Sequence, residues 1–149
     1  LMTAHVRYAA LDSEHPATLS EAIIGGLLRD QLRFDGLLVS DDMEMGAIDK
    51  YLDVVDASVQ AVAAGCDMLL VCSQDTERQV KIIEQLIYAL EDGRLPEARV
   101  RKALKRQRMA KGRFLGASLD WRPPTANKLQ ETVGSSAHDR LACELRELI

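Results

Sequence analysis

Two adjacent carboxylates, Asp41 and Asp42, follow a short apolar run at residues 37–39 and a serine. The apolar run predicts a β-strand, and in parallel α/β folds the carboxyl ends of the strands carry the active site. Because side chains alternate along a strand, we expect Asp41 and Asp42 to point in different directions. One carboxylate can then do chemistry, while the other caps the following turn or pairs with a basic residue. The alternative is that both aspartates are solvated turn residues.

Histidine is the other residue type here that could transfer protons. His5 lies at the matching end of a first predicted strand, residues 1–6, and is expected to face the same cavity as Asp41. It is either an acid or base there, or a structural hydrogen-bonding residue. His15 and His138 fall in predicted loop or linker, where we expect ordinary surface residues. No cluster of His, Cys and Asp has the spacing of metal ligands, so the sequence predicts no metal and no cofactor.

The elements that position these residues alternate along the chain in the order β-α-β-α-β-α-α. Apolar runs predict strands at residues 1–6, 37–39 and 68–72. A spacing of roughly thirty residues is typical of βαβ units in a parallel sheet with right-handed crossovers. A complete (β/α)8 barrel needs about 250 residues, whereas the chain has 149. The predicted fold class is therefore α/β, with about three βα units that amount to part of a barrel.

Helical periodicity and end signals place the remaining elements. Thr18-Leu-Ser-Glu21 has the spacing of a capping box, and Gly65 is a predicted C-terminal cap. Beyond Gly116 the chain turns polar, with Pro123-Pro124, which predicts a linker. The predicted helices cover about residues 19–32, 55–63, 75–93, 96–114 and 136–148.

Composition limits the class of protein. Hydrophobic residues make up 47% and charged residues 28%, which is typical of a globular chain. No apolar run approaches the roughly 18–20 residues of a membrane-spanning helix, and the first residues lack a secretory signal. Three cysteines without Cys-x-x-Cys spacing suggest reduced thiols and a cytoplasmic location. Two of them, Cys66 and Cys72, flank a predicted buried strand and are expected to be core residues.

A strongly basic run extends from Ala98 to Arg113, with eight Lys or Arg residues and no acid. It is either a nucleic-acid contact or a solvated outer helix. Aromatic residues are not interleaved with the cations, and the chain as a whole carries a net charge of −4. The sequence therefore favours the solvated helix and predicts neither a nucleic-acid partner nor a membrane partner.

Several motifs occur together and in order along the first 115 residues. The motifs are Met2-Thr3-Ala4-His5-Val6, Pro16-Ala17-Thr18-Leu19-Ser20, Leu28-Arg29, Phe34-Asp35-Gly36, Val39-Ser40-Asp41-Asp42-Met43-Glu44-Met45 and Ala64-Gly65-Cys66-Asp67-Met68-Leu69-Leu70-Val71-Cys72. Their combined pattern resembles the glycoside hydrolase family 3 β-N-acetylglucosaminidases, the bacterial enzymes of peptidoglycan recycling.

The resemblance implies a (β/α)8 barrel of which this chain matches the last three strands. It also implies a retaining hydrolysis of terminal β-linked N-acetylglucosamine, as in muropeptides, with Asp41 as the nucleophile. Asp42, Met45 and His5 would be near neighbours without an assigned role. In this resemblance residues 1–115 form a partial barrel domain, and residues 116–149 are a linker and the start of a following segment.

The chain also departs from the family pattern. In the family, a histidine on a mobile loop with a Gly-His-Gly-type motif is the general acid/base, and a Lys-His pair holds the sugar. Neither motif occurs in this sequence. We therefore expect the chain to be the C-terminal part of a longer enzyme, and to hydrolyse substrate poorly by itself. The alternatives are a non-catalytic module that associates through its partial barrel, or a family 3 hydrolase of another β-sugar.

Overall fold

The computed structural model of the chain describes residues 1–50, 52–116 and 122–147. The chain divides into a first unit, residues 1–116, and a second unit, residues 117–149. Each unit is considered by itself below.

A two-stranded parallel sheet lies at the centre of the first unit. Strand β1 covers Val39–Asp42 and strand β2 covers Met68–Leu70. Val39 is in register with Met68 and Asp42 with Leu70, with an irregularity between these two pairs. The predicted α/β class with parallel pairing is therefore confirmed, although both strands are short.

The first predicted strand is extended backbone with a single bridge. Met2 pairs in parallel with Val39, and the Thr3 amide donates to the Val39 carbonyl at 2.9 Å. Further along, the Val6 carbonyl accepts from the Ala17 amide, and no second bridge to β1 is formed within the described residues. The prediction of a strand over residues 1–6 had the right place and direction, but the pairing is much shorter than predicted.

The helix predicted over residues 19–32 forms as a different type. A 3-10 turn covers Ala17–Leu19, and a π-helix covers Ala22–Gln31. Gly25 and Gly26 lie within this π-helix, and glycine permits backbone geometry that departs from the regular α-helix. The apolar periodicity was correctly interpreted as helical, but hydrophobic spacing alone does not distinguish an α-helix from a π-helix.

The start of this helix is capped by Ser20 and not by Thr18. The Ile23 amide donates to Ser20 Oγ at 3.1 Å, whereas the Thr18 hydroxyl bonds with the His5 ring. The predicted capping box was therefore wrong in its residue, because a tertiary contact takes the Thr18 side chain.

The other helices of the first unit are α1 (Gly46–Asp49), α2 (Val54–Ala64), α3 (Thr76–Glu91) and α4 (Glu97–Leu115). Helices α2, α3 and α4 follow their predicted positions closely, whereas the short helix α1 was not predicted. Gly65, at φ 133°, ends helix α2, and a Cβ at this position would overlap the Ile24 side chain. Glycine is thus required both by its conformation and by packing against the π-helix.

Aliphatic side chains build the core between the sheet and the surrounding helices. A smaller cluster of Val59, Ala89 and Leu95 joins α2 to α3 and the turn that follows it. The main cluster contains Leu19, Ile24, Leu38, Met43, Ile48, Val54, Ala57, Ala61, Ala64, Cys66 and Ile82.

The second unit contains two exposed helices among its described residues. Helix α5 (Ala126–Thr132) lies where a linker was predicted, and the Thr125 hydroxyl caps it by accepting from the Lys128 amide. The linker prediction was therefore wrong at this helix, because a single capping residue starts a helix in a polar sequence. Helix α6 (Ser136–Arg146) matches the predicted final helix, and Leu148 lies outside the described residues.

Candidate active site

The carboxyl ends of the two strands bring three acidic side chains to one edge of the sheet. Asp42 Oδ1 accepts from the amides of Glu44 and Cys72, each at 3.2 Å. Asp42 therefore caps its own turn and also ties that turn to the loop after β2. Asp42 is half-buried and hydrogen-bonded, so it is not a freely solvated turn residue.

The Asp41 side chain is bonded only to the next residue, whereas Asp42 also binds the loop after β2. Its Oδ1 accepts from the Asp42 amide at 2.8 Å. Across residues 1–50, 52–116 and 122–147, no Lys, Arg or His lies within ion-pair distance of the Asp41 carboxylate. A half-buried carboxylate without a cation keeps its second oxygen available for another group.

Glu44 is a polar residue of this edge to which the sequence analysis gave no role. Its Oε2 accepts from the Ser73 amide at 2.8 Å, and its Oε1 pairs with Arg78 Nη1 at 3.2 Å. Glu44 thus links the loop after β1 to the loop after β2 and to the start of α3. The position of Glu44 in the motif after β1 was the sequence signal that could have given it a role. Its pairing with Arg78 could not be predicted, because the two residues meet only in the folded chain.

His5 lies beside the two aspartates and is held at both ring nitrogens. Its Nε2 lies 2.9 Å from the Asp42 carbonyl oxygen, which can only accept, so Nε2–H is the donor. Its Nδ1 lies 2.8 Å from Thr18 Oγ1, which is in turn 2.8 Å from Thr3 Oγ1. The geometry favours the structural alternative for His5: the ring anchors the backbone that carries the carboxylates.

The remaining residues singled out in the sequence are divided between core and surface. Met43 is fully buried in the core, whereas Met45 is 44% exposed beside the carboxylate edge. His15 is half-buried and pairs with Asp12 at 3.4 Å, so it is more than an ordinary surface residue. His138 is exposed in the second unit, as expected.

The two cysteines that flank β2 have different environments. Cys66 is buried, and burial raises the pKa of its thiol to about 12. Cys72 is exposed, so the prediction that it is a core residue was wrong. Desolvation and the nearby Asp42 carboxylate raise the pKa of the Cys72 thiol. Neither thiol is therefore a ready nucleophile.

A second polar cluster lies at the amino ends of the strands, and the sequence analysis missed it. The Asp67 side chain is wholly buried and bonds to Arg29 Nη2 at 2.8 Å and Arg99 Nη2 at 3.0 Å. Arg106 Nη1 approaches it at 3.5 Å, and the Leu38 amide donates to it at 3.0 Å. The cluster clamps the π-helix, both strands and α4 together, at the opposite end of the sheet from Asp41.

Two negative findings apply to the described part of the chain. Residues 1–50, 52–116 and 122–147 gather no group of three His, Cys, Asp or Glu side chains that could hold a metal ion. Within those same ranges, no helix combines the length and apolar character needed to cross a bilayer.

Parallel strands with helices between them define an α/β protein, and a carboxylate without a cation partner among the described residues lies at the carboxyl edge of its sheet. The sequence profile of the Glycosyl hydrolase family 3 N terminal domain matches residues 1–109. The chain therefore belongs to glycoside hydrolase family 3, and the resemblance given by its motifs is confirmed.

Similar proteins carry hexosaminidase names. Beta-hexosaminidase A of Pseudoalteromonas piscicida is 30% identical over 97% of this chain and 26% of its own length. A beta-hexosaminidase of Hydrogenovibrio crunogenus is 38% identical over 67% of this chain and 27% of its own length. A family 3 beta-N-acetylglucosaminidase structure from Paenibacillus matches 90% of this chain and 24% of that one, with 39% identity and a TM-score of 0.75. The chain thus spans about a quarter of the length of these relatives.

Proposed function

We propose that this chain is the part of a retaining β-N-acetylglucosaminidase that carries the nucleophile, and that Asp41 is this nucleophile. The observation that carries the proposal is the contrast among the three acids of the carboxyl edge. Asp42 and Glu44 are committed to backbone amides of the neighbouring loop, whereas Asp41 bonds only locally and has no cation partner among the described residues.

The chemistry that follows is a double displacement. An Asp41 carboxylate oxygen attacks the anomeric carbon, the glycosidic C–O bond breaks, and the leaving oxygen takes a proton from an acid. Water then attacks the anomeric carbon of the ester, which releases the sugar and restores the carboxylate. The acid/base belongs to the part of the parent enzyme that this chain does not contain, so we expect the chain alone to be inactive.

The fold proposed for this role is the last three βα units of a (β/α)8 barrel. Residues 1–3, β1 and β2 lie side by side in parallel, with helical crossovers between them. This order agrees with three consecutive barrel strands. The relatives' names support a terminal β-linked N-acetylglucosamine as the substrate. The same proposal includes a cytoplasmic role in peptidoglycan recycling, with muropeptides as substrates. The alternative to N-acetylglucosamine as the preferred sugar is another β-linked sugar.

A chimera tests this function with residues of this chain in place. The segment of the Hydrogenovibrio crunogenus relative that matches this chain is replaced by the corresponding residues here. The chimera should hydrolyse an aryl β-N-acetylglucosaminide, and Asp41→Asn should lower kcat by about 10³-fold or more, since the covalent step is lost. Asp56→Asn, an exposed carboxylate on α2, is the matched control and should leave kcat unchanged. Near-normal turnover in Asp41→Asn would remove the assignment.

The non-catalytic alternative rests on the exposed apolar face of α3, where Val80, Ile83 and Ile87 are all about half exposed. An association module would keep its function in Asp41→Asn and lose it when this face is made polar.

A further inference from the structure

A cavity of about 470 Å³ lies between the π-helix, the end of α2 and helix α4. It is at the amino ends of the strands, beside the Asp67 cluster and away from Asp41. Its walls carry the five cationic residues Arg29, Arg33, Arg99, Lys102 and Arg106. Three of these come from the basic run on α4, so one face of that run borders a cavity and is not simply solvated.

The cations of this cavity are not all neutralised by ion pairs. Arg29, Arg99 and Arg106 share the single carboxylate of Asp67, and Arg106 also binds the exposed Asp35. Arg33 and Lys102 form no ion pair with any residue the structure describes. The five cations face the carboxylates of Glu21, Asp30 and Asp35 in the cavity wall and of Asp67 beside it, so positive charge is in excess by one.

Two unpartnered guanidinium donors mark the cavity as more than a structural clamp. Arg29 Nε and Arg99 Nη1 are buried donors without a hydrogen-bond partner in the described structure, an arrangement that normally costs stability. Burial lowers the pKa of Arg29, and the positive charges of Arg106 and Arg99 act in the same direction. A bound anion would relieve this crowding of positive charge.

We propose that this cavity binds a small molecule that carries a phosphate group. Guanidinium groups match phosphate oxygens in geometry as well as in charge. The volume is within the range of small-molecule sites, which is about 300–1,000 Å³. Glu21 and Asp30 also line the cavity and can accept hydrogen bonds from hydroxyl groups of the same ligand. These two acids, with the net charge of −4, disfavour a long polyanion such as nucleic acid.

The test is a titration of the full 149-residue chain with inorganic pyrophosphate. Binding is measured by calorimetry, and the arginine Nε–H signals are monitored by NMR. We expect saturable binding that moves the Arg29 signal. The double variant Arg33→Gln/Lys102→Gln should bind at least tenfold more weakly, since two charge-assisted contacts are lost. Both side chains are exposed, so the variant should keep the wild-type circular dichroism spectrum.

Lys111→Gln is the matched control, because Lys111 is an exposed cation of the same helix that does not line the cavity. It should bind pyrophosphate as the wild type does. Three outcomes would overturn the proposal: no saturable binding, an equal loss in the Lys111→Gln control, or tighter binding of a single-stranded oligonucleotide than of pyrophosphate. None of these readouts depends on glycosidase activity, so the proposed catalytic function and the anion site are tested separately.

Discussion

At the scale of single residues, Asp41 and Asp42 differ in what their side chains bind. Replacing Asp42 with alanine removes the acceptor for the Glu44 and Cys72 amides and should lower the free energy of unfolding by about 1–3 kcal/mol. Asp41→Asn keeps an acceptor for the Asp42 amide, so it should change the free energy of unfolding by less than about 0.5 kcal/mol. Urea unfolding of both variants measures this difference. An equal loss in the two would mean that Asp41 has a structural role.

Asp12 gives a prediction for the effect of acid on stability. The Ser20 hydroxyl and the Glu14 and His15 amides lower the pKa of Asp12 from 3.8 to about 2. Because the folded state holds the charged form more strongly, this stabilisation is complete above the unfolded pKa. It is lost as the pH falls from 3.8 towards 2.

Urea unfolding of the wild type and of Asp12→Asn, at pH 6 and at pH 2.5, measures this effect. The wild type should be the more stable protein at pH 6, and the difference should shrink at pH 2.5. A difference that is the same at both pH values would show that the Asp12 charge is not responsible.

The sequence could place the candidate residues but not their partners. The motif after β1, through the family resemblance, selects Asp41 as the candidate nucleophile, and this assignment stays a prediction. The alternation along a strand predicts only that Asp41 and Asp42 point in different directions. The role of His5 depends on Thr18, 13 positions away, and on the Asp42 carbonyl, 37 positions away. Such contacts are set by tertiary packing, which is also why the capping residue was misassigned to Thr18 and Cys72 to the core.

At the scale of elements, the Asp67 cluster should contribute more to stability than any surface ion pair. Asp67→Asn leaves Arg29 and Arg99 half-buried without an ion-pair partner among the described residues, and leaves Arg106 with only the exposed Asp35. Removing one partner of a buried ionic cluster costs about 3–5 kcal/mol. Urea unfolding should detect this loss.

The matched control is Glu97→Gln, because Glu97 pairs with Arg101 on the exposed surface of α4. Surface pairs contribute about 0–1 kcal/mol, so this variant should unfold nearly as the wild type does. Similar losses in the two variants would mean that Asp67 does not hold the π-helix, the strands and α4 together.

The helices and strands show which features of the structure local sequence signals can predict. Helix α2 begins after the capping residue Asp53 and ends at Gly65, whose conformation stops the helix. Helix α3 begins after the capping residue Asp75. These ends lie within a residue or two of the predicted ones. The π-helix and the shortened first strand were not predictable in detail. Helix type and strand length depend on neighbouring elements, and the hydrophobic pattern records only which side chains are buried.

At the scale of the whole molecule, apolar surface remains uncovered. Ile83 and Ile87 of α3 are 58% and 49% exposed, and β2 pairs with β1 as the only other strand within the described ranges. Exposed apolar patches and unpaired strand edges favour association. The isolated chain should therefore elute in size-exclusion chromatography above its monomer mass of 16.5 kDa.

A double variant, Ile83→Lys/Ile87→Lys, should shift the elution towards the monomer. Met109→Lys, at a similarly exposed apolar position on α4 that does not line the same apolar surface, serves as the control and should change the elution less. A wild-type chain that elutes as a monomer would contradict the self-association expected from these exposed apolar side chains and strand edges.

The most direct measurement of the central claim is to identify the residue that bonds to the sugar. The chimera described above would be treated with a fluorinated N-acetylglucosaminyl fluoride, since fluoride leaves without protonation and ring fluorination slows the release of the sugar ester. Peptide mass spectrometry should then find one sugar attached to Asp41, and no label in the Asp41→Asn variant. A sugar attached to Asp42 or Glu44, or a glycosidase that turns over without labelling Asp41, would contradict the assignment.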